Sequence, residues 1–405
     1  MNLYFTGHQE KYAVEQTMLT LFPQERPVYP DPAVTPPGGD NALELQFTRR
    51  PSWCTARAVL RREGKVYTRM CRVKTAALPA DDPVVATRLT RRTLQRAFYL
   101  AAIDCLGKEP PWGMLSGVRP VKLPTRAMEE GSTPRQAEAM LKHYHVSPVR
   151  RQLAMDCAQA SLAVKRSLQP EEISLYVGIP FCPTRCAYCS FISASGSANR
   201  LIPAYLDALF GEIDAAGEAA RRAGKTVRTV YIGGVTPTTL APDQLKALLD
   251  RLHTAFDLAP GTEFTVEAGR PDTITREKLE AIRDGGGNRI SVNPQTMSDL
   301  VLEAIGRSHR AEDIRQAYAL AREVHVGAIN MDLIAGLPAD TPAGFAATLD
   351  EVIGMDPENI TVHTLALKKG ARLRQENVTL PSGADVAHML DFAWSALRAA
   401  GYRPY

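Results

Sequence analysis

No apolar run in this 405-residue chain approaches the roughly 18 residues of a membrane-spanning helix, so no span is expected. The N-terminus, MNLYFTGHQEKY, lacks the basic-then-apolar pattern of a secretory signal, and export is not expected either. No segment is low in complexity and no short-period repeat is visible. With 45% hydrophobic and 23% charged residues, the chain is neither disordered nor fibrous. A disulfide framework is also missing. The cysteines number seven, and three of them, at 182, 186 and 189, fall within eight residues. That pattern suits a metal or redox site in a reducing, cytoplasmic compartment.

The length fits two or three domains. The net charge of +4 is unevenly spread. Residues 1–165 hold 24 Lys and Arg against 15 Asp and Glu, a net +9, and the remainder holds 24 against 29, a net −5. The basic part could meet an anionic partner such as a polycarboxylate or RNA, or it could be a solvated surface. The charge is too diffuse to act as a signature, so a nucleic-acid partner is not expected.

Residues 23–40 (PQERPVYPDPAVTPPGGD) are rich in Pro and Gly and read as a loop. Strand-like runs at 54–62 and 65–74 flank Glu63-Gly64, which predicts a hairpin. Residues 84–106 have helical periodicity with Gly107 as a stop, and 133–143 and 149–167 predict two more helices. The first region, 1–168, is therefore expected to be a basic α+β domain. From residue 173 the pattern changes to six strand–helix alternations. Strands are expected at 173–179, 229–233, 263–267, 288–292, 328–334 and 360–365. Helices are expected at 199–223, 242–256, 276–284, 311–324 and 342–354. Such alternation predicts an α/β fold with a parallel sheet, as a partial or full barrel or a doubly wound sheet. The unusual residues cluster at strand C-terminal ends, which form the active-site face of a β/α barrel.

The segment Cys182-Pro-Thr-Arg-Cys186-Ala-Tyr-Cys189 has the spacing C-x3-C-x2-C. Three thiolates on one loop can wrap a compact soft-metal centre. A four-iron cluster wants four ligands, so three leave one iron open to a non-protein ligand. A structural zinc site normally closes with four ligands in paired spacings, and no partnering Cys or His pair stands nearby. Gly233-Gly234, with Thr236 two residues on, follows a strand where glycine lets backbone approach a ligand, although a tight turn reads the same way. Glu267 ends an apolar strand, where an exposed cap is the plain reading. Asp332 lies mid-strand between apolar residues, where a lone acid is costly unless paired or functional. His309 and His363 are left unassigned. The cysteines at 54, 71, 105 and 157 show no ligand spacing and are read as small apolar residues.

The run LYVGIPFCPTRCAYCSF at 175–191 resembles the cluster loop of the radical S-adenosylmethionine (SAM) superfamily, and within it the oxygen-independent coproporphyrinogen III oxidase family. The resemblance covers residues 173–370. The stretches WGMLSGVRPVKL (112–123) and VEAGRPDTIT (266–275) are most similar to the HemZ-type coproporphyrinogen dehydrogenase branch. It implies a partial (β/α)6 barrel over 173–370 holding a 4Fe-4S cluster on Cys182, Cys186 and Cys189, with SAM chelating the open iron. Tyr176 and Tyr188 would lie against the cofactor. Gly233, Gly234 and Thr236 match the glycine-rich SAM motif, with Val235 in place of a third glycine. Glu267 would accept hydrogen bonds from SAM polar groups. Gln295 matches a strand-four glutamine, Arg307 a carboxylate-binding arginine, Asp332 a ribose contact and Ala366 a small backbone contact.

The activity so implied is oxidative decarboxylation of two propionates of coproporphyrinogen III, giving protoporphyrinogen IX in haem biosynthesis. A 5′-deoxyadenosyl radical would take a hydrogen from each propionate β-carbon, and carbon dioxide and one electron would leave. An electron donor such as a flavodoxin or ferredoxin, and an electron acceptor, are implied. Two departures stand out. Decarboxylating members usually carry a fourth cysteine two residues after the third, where this chain has Phe191; a haem-chaperone branch shows the same Cys-x-Phe pattern. Residues 384–400 predict a helix and 402–405 the start of a strand, so 371–405 is expected to begin a C-terminal domain cut short. The rival expectations are a haem-binding chaperone and a radical SAM enzyme acting on RNA.

Overall fold

The computed structural model describes residues 1–31, 38–115, 119–376 and 378–405. Residues 32–37 of the expected loop and 116–118 of the 112–123 motif lie outside the described residues. The backbone divides into two compact units. One spans Met1–Ser167 with Pro404–Tyr405, and the other spans Leu168–Arg403. Among the described residues, no helix is long and apolar enough to cross a membrane.

The first unit begins with β1 (Asn2–Thr6), α1 (Lys11–Leu21), β2 (Ala42–Arg49), β3 (Trp53–Arg62), β4 (Lys65–Lys74) and α2 (Pro83–Leu106). The sheet order is β1-β2-β3-β4, with β1 parallel to β2 and the other pairs antiparallel. Period-two alternation sends Leu43, Leu45 and Phe47 of β2, and Ala56, Ala58 and Leu60 of β3, into one core with Met18 and Phe98. Glu63 and Gly64 both have positive φ, 54° and 71°, the twist a two-residue hairpin turn needs. Asp82 caps α2 by accepting from the Val85 amide, and Gly107 ends it in the left-handed conformation. The helices α3 (Lys122–Glu129), α4 (Pro134–His143) and α5 (Pro148–Ser167) enclose a smaller core around Leu141, Ala154 and Leu162.

The second unit runs β5 (Glu172–Ile179), β6 (Phe181–Cys182), β7 (Ala194–Ser195), α6 (Ile202–Arg222), β8 (Thr226–Gly234), α7 (Pro242–Phe256), β9 (Glu263–Val266), α8 (Arg276–Asp284), β10 (Arg289–Ser291), α9 (Asp299–Ala304), α10 (Ala311–Val324), β11 (Ala328–Ala335), α11 (Pro342–Gly354), β12 (Asn359–Thr364) and α12 (Gly383–Ala399). Six strands pair in parallel in the order β5-β8-β9-β10-β11-β12. Strands in chain order with right-handed crossovers place every helix on one side. Among the described residues β5 and β12 do not pair, and the sheet is an open, partial barrel.

The two faces of this sheet differ in kind. The helix-covered face carries Val177, Ile232, Phe264, Ile290, Met331 and Leu333, all within one core. The opposite face carries Tyr176, Tyr231, Thr265, Ser291, Asn330, Asp332, Thr361 and His363, read from the alternation along each strand. Parallel strands buried on both faces are apolar throughout. A polar inner face therefore marks a lumen built for contact with something other than its own core.

The expected strands and helices of this unit are all present, with small shifts. Helix α6 starts at Ile202 rather than 199, because 196–201 tighten into a 3₁₀ turn and Pro203 suits the first helical turn. The elements β1, α1, β2, α3, β6, β7 and α9 are not among the expected ones. Residues 402–405, expected to start a strand, form turn and coil. The Tyr402 amide donates to Leu397 O and its hydroxyl to Pro357 O at 2.7 Å, which ties this segment to the end of α12. Helix α12 packs on α11, with Met389 and Ala393 in the core.

Candidate active site

The cysteine loop leaves the tip of β5 and is bolted down from several sides. The Val235 amide donates to Ile179 O at 3.0 Å and the Thr236 amide to Phe181 O at 3.1 Å. The Ala187 amide donates to Ile305 O at 2.9 Å, and Ala187 O accepts from the Leu373 amide at 3.0 Å. Cys182 and Cys186 are buried and Cys189 is half-buried. The Cys182 Sγ lies 3.3 Å from Thr236 Oγ1. Burial pushes the Cys189 thiol up, the Phe191 amide works against this, and the Cys186 and Cys182 thiols push it further up.

Arg307 closes the floor beneath this loop. It is buried, donating through Nη1 to Asn293 O at 2.7 Å and through Nη2 to the Tyr188 hydroxyl at 3.2 Å. Burial disfavours its charge, but Tyr188 and the Cys186 thiol outweigh that, and its pKa moves upward. Burial pushes the Tyr188 hydroxyl up as well. Among the described residues, Arg307 Nε and Asn293 Oδ1 are buried without a partner.

The other candidates gather on the inner face. A cavity of about 590 Å³ is lined by Tyr176, Phe191, Tyr231, Gly234, Val235 and Glu267 among others. The Tyr176 and Tyr231 rings stack with centroids 5.8 Å apart and an 8° interplanar angle. A Cβ at Gly233 would fall 2.5 Å from Tyr231 Cε1 and 2.8 Å from Glu267 Oε2. Gly234 has φ of +107°, and a Cβ there would lie 2.9 Å from Ile179 N. Both positions demand glycine, so the Gly-Gly step has a steric cause in this fold. Burial pushes the Glu267 carboxyl up to about 7, Asp332 adds to that by like charge, and the Gly234 amide works the other way. Burial also works against the charge on Asp332, but the nearby His363 ring and the Asn330 hydrogen bond outweigh it and hold its carboxyl low. Asn330 Nδ2 donates to Asp332 Oδ1 at 2.8 Å, and His363 Nε2 stands 3.7 Å from Asp332 Oδ2. Gln295 sits beside them with φ of 69°. Its amide donates to Asp332 O at 2.9 Å and its carbonyl accepts from the Ile334 amide at 3.0 Å. A non-glycine residue held in this conformation by two strand-like bonds is typical of a ligand site. Ala366 follows β12 on the exposed rim, outside this set of contacts.

Against known families, residues 176–352 match the Radical SAM superfamily. The chain carries a radical SAM domain. The oxygen-independent coproporphyrinogen-III oxidase-like protein HemZ of Bacillus subtilis is 37% identical over 302 residues, 73% of this chain and 60% of that protein. The heme chaperone HemW of the same organism is 32% identical over 237 residues, 57% of this chain and 62% of that protein. A solved structure of the radical SAM enzyme coproporphyrinogen III oxidase (HemN) from Escherichia coli aligns with a TM-score of 0.54 and 31% identity, covering 60% of this chain and 56% of that one. The chain spans about 60% of the length of the HemZ and HemW proteins it matches.

A radical SAM domain uses a 4Fe-4S cluster and SAM, and the residues present fit both. Among the described residues, no three His, Cys, Asp or Glu side chains stand in the arrangement of a single-ion site. A four-iron cluster is larger than one ion and spreads its thiolates over a wider triangle than tetrahedral zinc does. Three close thiols without a fourth ligand suit the cluster. The unpartnered Arg307 Nε and the paired carboxylates of the lumen suit a zwitterionic, polyhydroxylated cofactor.

Another residue of the radical SAM domain, unassigned from sequence, also holds the loop. Arg270 is buried and forks onto Asp272, with Nε donating to Oδ1 at 2.9 Å and Nη2 to Oδ2 at 2.8 Å. Its Nη1 donates to Thr184 O at 3.1 Å and Thr184 Oγ1 at 2.7 Å, between the first two cysteines. His309 Nδ1 stands 3.7 Å from Asp272 Oδ1, too long for a hydrogen bond. Burial opposes the charge on Asp272, yet His309 and Arg270 outweigh it and hold the carboxyl well below the usual range. The signal was on the page in the run GRPD, where a cation two residues before an acid follows a strand tip. Replacing Arg270 with methionine is expected to cost about 3 kcal/mol in urea unfolding, because it leaves Asp272 charged and partly buried without its fork. Reconstituted cluster should also be lost faster to a chelator from this variant. An unchanged loss rate would limit Arg270 to a packing role.

Proposed function

We propose that the protein catalyses oxygen-independent oxidative decarboxylation of coproporphyrinogen III, as an oxidoreductase of the cytoplasm. The observation that carries this reading is the joint presence of the three-cysteine loop, Glu267 and Gln295 at strand tips and Asp332 on the inner face of β11, in a chain 37% identical over 302 residues to a HemZ protein. Cys182, Cys186 and Cys189 would hold the cluster. Glu267 would meet the SAM ammonium, Asp332 the ribose hydroxyls, Gln295 and Arg307 its polar groups, and Gly233, Gly234, Thr236, Tyr176, Tyr188 and Ala366 its surface. When bound, the cluster and SAM supply one-electron reductive cleavage and with it the capacity to take a hydrogen atom from carbon.

The chain's own residues then bind, orient and shield. At Gly234 a left-handed backbone packed against Ile179 fixes the turn at the end of β8. The Asn330 bond and the nearby His363 ring keep Asp332 ionised and aimed as an acceptor. Arg307 keeps Tyr188 fixed beneath the loop. Each of the two reacting propionates of the substrate loses one hydrogen and carbon dioxide, and the electron left over goes to an acceptor.

The test is anaerobic reconstitution followed by dithionite, SAM and coproporphyrinogen III. Protoporphyrinogen formed in step with 5′-deoxyadenosine is the expected result by chromatography. Formation of 5′-deoxyadenosine without a new porphyrin would overturn the assigned substrate. A second reading, haem chaperone, is favoured by Phe191, 62% exposed at the position where the family resemblance implies a cysteine in decarboxylating members, and by the HemW likeness. A saturable Soret shift on haem titration, with no porphyrinogen turnover, would select it.

A further inference from the structure

The inner face of the barrel is acidic where the site lies. Glu267 and Asp332 interact as like charges, and residues 166–405 carry a net −5. A tetra-anionic tetrapyrrole cannot approach such a lumen without compensating cations. One stretch of this unit supplies them. The segment after β12, LKKGARLR at 367–374, holds Lys368, Lys369, Arg372 and Arg374, and all four are exposed. Arg372 pairs with Glu376 at 3.0 Å. Among the described residues, Lys368, Lys369 and Arg374 meet no carboxylate.

This basic segment is fixed to the cysteine loop. Arg185, between Cys182 and Cys186, donates through Nη2 to Gly370 O at 3.1 Å, and also reaches Cys189 O and Phe191 O at 3.4 Å each. Leu373 is buried and its amide bonds Ala187 O at 3.0 Å. Two anchors thus hold five cations at the strand tips, beside the loop that carries the cysteines. Among the described residues the two lysines meet no partner, in an otherwise acidic unit, as a subsite for carboxylates requires.

We propose that residues 368–374, together with Arg185, form a carboxylate-recognising rim that binds the propionates of a tetracarboxylate tetrapyrrole. The inference rests on the proposed substrate class and adds the residues that select it. Lys368 and Lys369 act as mobile point charges, and Arg374 offers a planar fork for a carboxylate. A ring with four carboxylates engages more of the rim than one with two, so the segment distinguishes coproporphyrin-type rings from haem-type rings.

The test uses coproporphyrin III, the stable four-carboxylate ring, and mesoporphyrin, with two, each followed by fluorescence on the reconstituted chain. Coproporphyrin is expected to bind more tightly, and more weakly as salt rises. The double variant Lys368→Glu/Lys369→Glu should weaken coproporphyrin binding about tenfold and mesoporphyrin binding far less. Lys65→Glu, on β4 of the first unit, should change neither. Equal binding of coproporphyrin by wild type and double variant would overturn the proposal. So would a double variant that keeps coproporphyrin affinity but is reduced more slowly by flavodoxin than by photoreduced deazaflavin; the patch would then be the dock for an acidic electron donor. Rim-dependent coproporphyrin binding without decarboxylated product would keep the rim and sink the decarboxylase reading instead.

Discussion

Replacing Cys186 with alanine is expected to leave the reconstituted protein without iron. Cys186 is buried in the loop, beside Tyr188 and the buried Arg307. A site-differentiated four-iron cluster needs all three thiolates of the C-x3-C-x2-C loop, and no other described cysteine lies in that loop to replace one. The variant also leaves Arg307 with one partner fewer in a buried setting, so some loss of fold stability accompanies the loss of metal. Cys189→Ala separates the two effects. Cys189 is half-buried, so this variant should lose the cluster at a smaller cost in urea unfolding. Cys54→Ala is the control. Its thiol packs in the sheet core of the first unit, 3.6 Å from Thr75 Oγ1, and its removal should leave iron content unchanged. Full iron in Cys186→Ala would refute the three-cysteine ligand set.

These residues could be read from sequence because their signals are local. Three cysteines within eight positions need no fold to be noticed, and each apolar run of the barrel is bounded by its own turn or cap. The stop at Gly107 and the turn at Glu63-Gly64 are likewise written in single residues whose backbone angles follow from their chemistry. What stayed hidden depends on partners far along the chain. Arg270 takes its meaning from Thr184, 86 residues earlier, and from Asp272 beside it. Strand β1 is short and gains its place only by pairing with β2, Asn2 against Ala42. The left-handed backbone of Gln295 has no signature at all, because glutamine does not favour it. It arises from bonds to Asp332 and Ile334 on the neighbouring strand. The acidity of the inner face was equally invisible, since Glu267 and Asp332 are 65 residues apart and meet only when β9 and β11 flank β10.

That pairing leads to the other large effect. Glu267→Gln is expected to stabilise the ligand-free chain while weakening its hold on SAM. The Glu267 carboxyl rises from an ordinary 4.5 to about 7, through burial first and the charge of Asp332 second. The folded chain therefore keeps a proton between pH 4.5 and 7 that the unfolded chain has already released. A group with a raised carboxyl pKa contributes falling stability across that window, levelling off above it. At pH 8 the penalty for ionising Glu267 is roughly 3 kcal/mol, and glutamine, which can still accept from the Gly234 amide, removes most of it. The same charge is what an ammonium group seeks. A charge-assisted hydrogen bond is worth about 1.5–3 kcal/mol, so SAM affinity should fall by about tenfold or more in the variant. Wild-type affinity should also climb from pH 6 to pH 8 as the carboxyl ionises, while the variant's stays flat. Urea unfolding of the SAM-free protein at pH 5 and pH 8, with equilibrium dialysis of SAM at pH 6 and pH 8, measures both effects. Equal SAM affinity in the two proteins at pH 8 would remove Glu267 from the cofactor site. A variant no more stable than wild type at pH 8 would instead mean that the acidic pair is relieved by solvent, with the carboxyl titrating near its ordinary value.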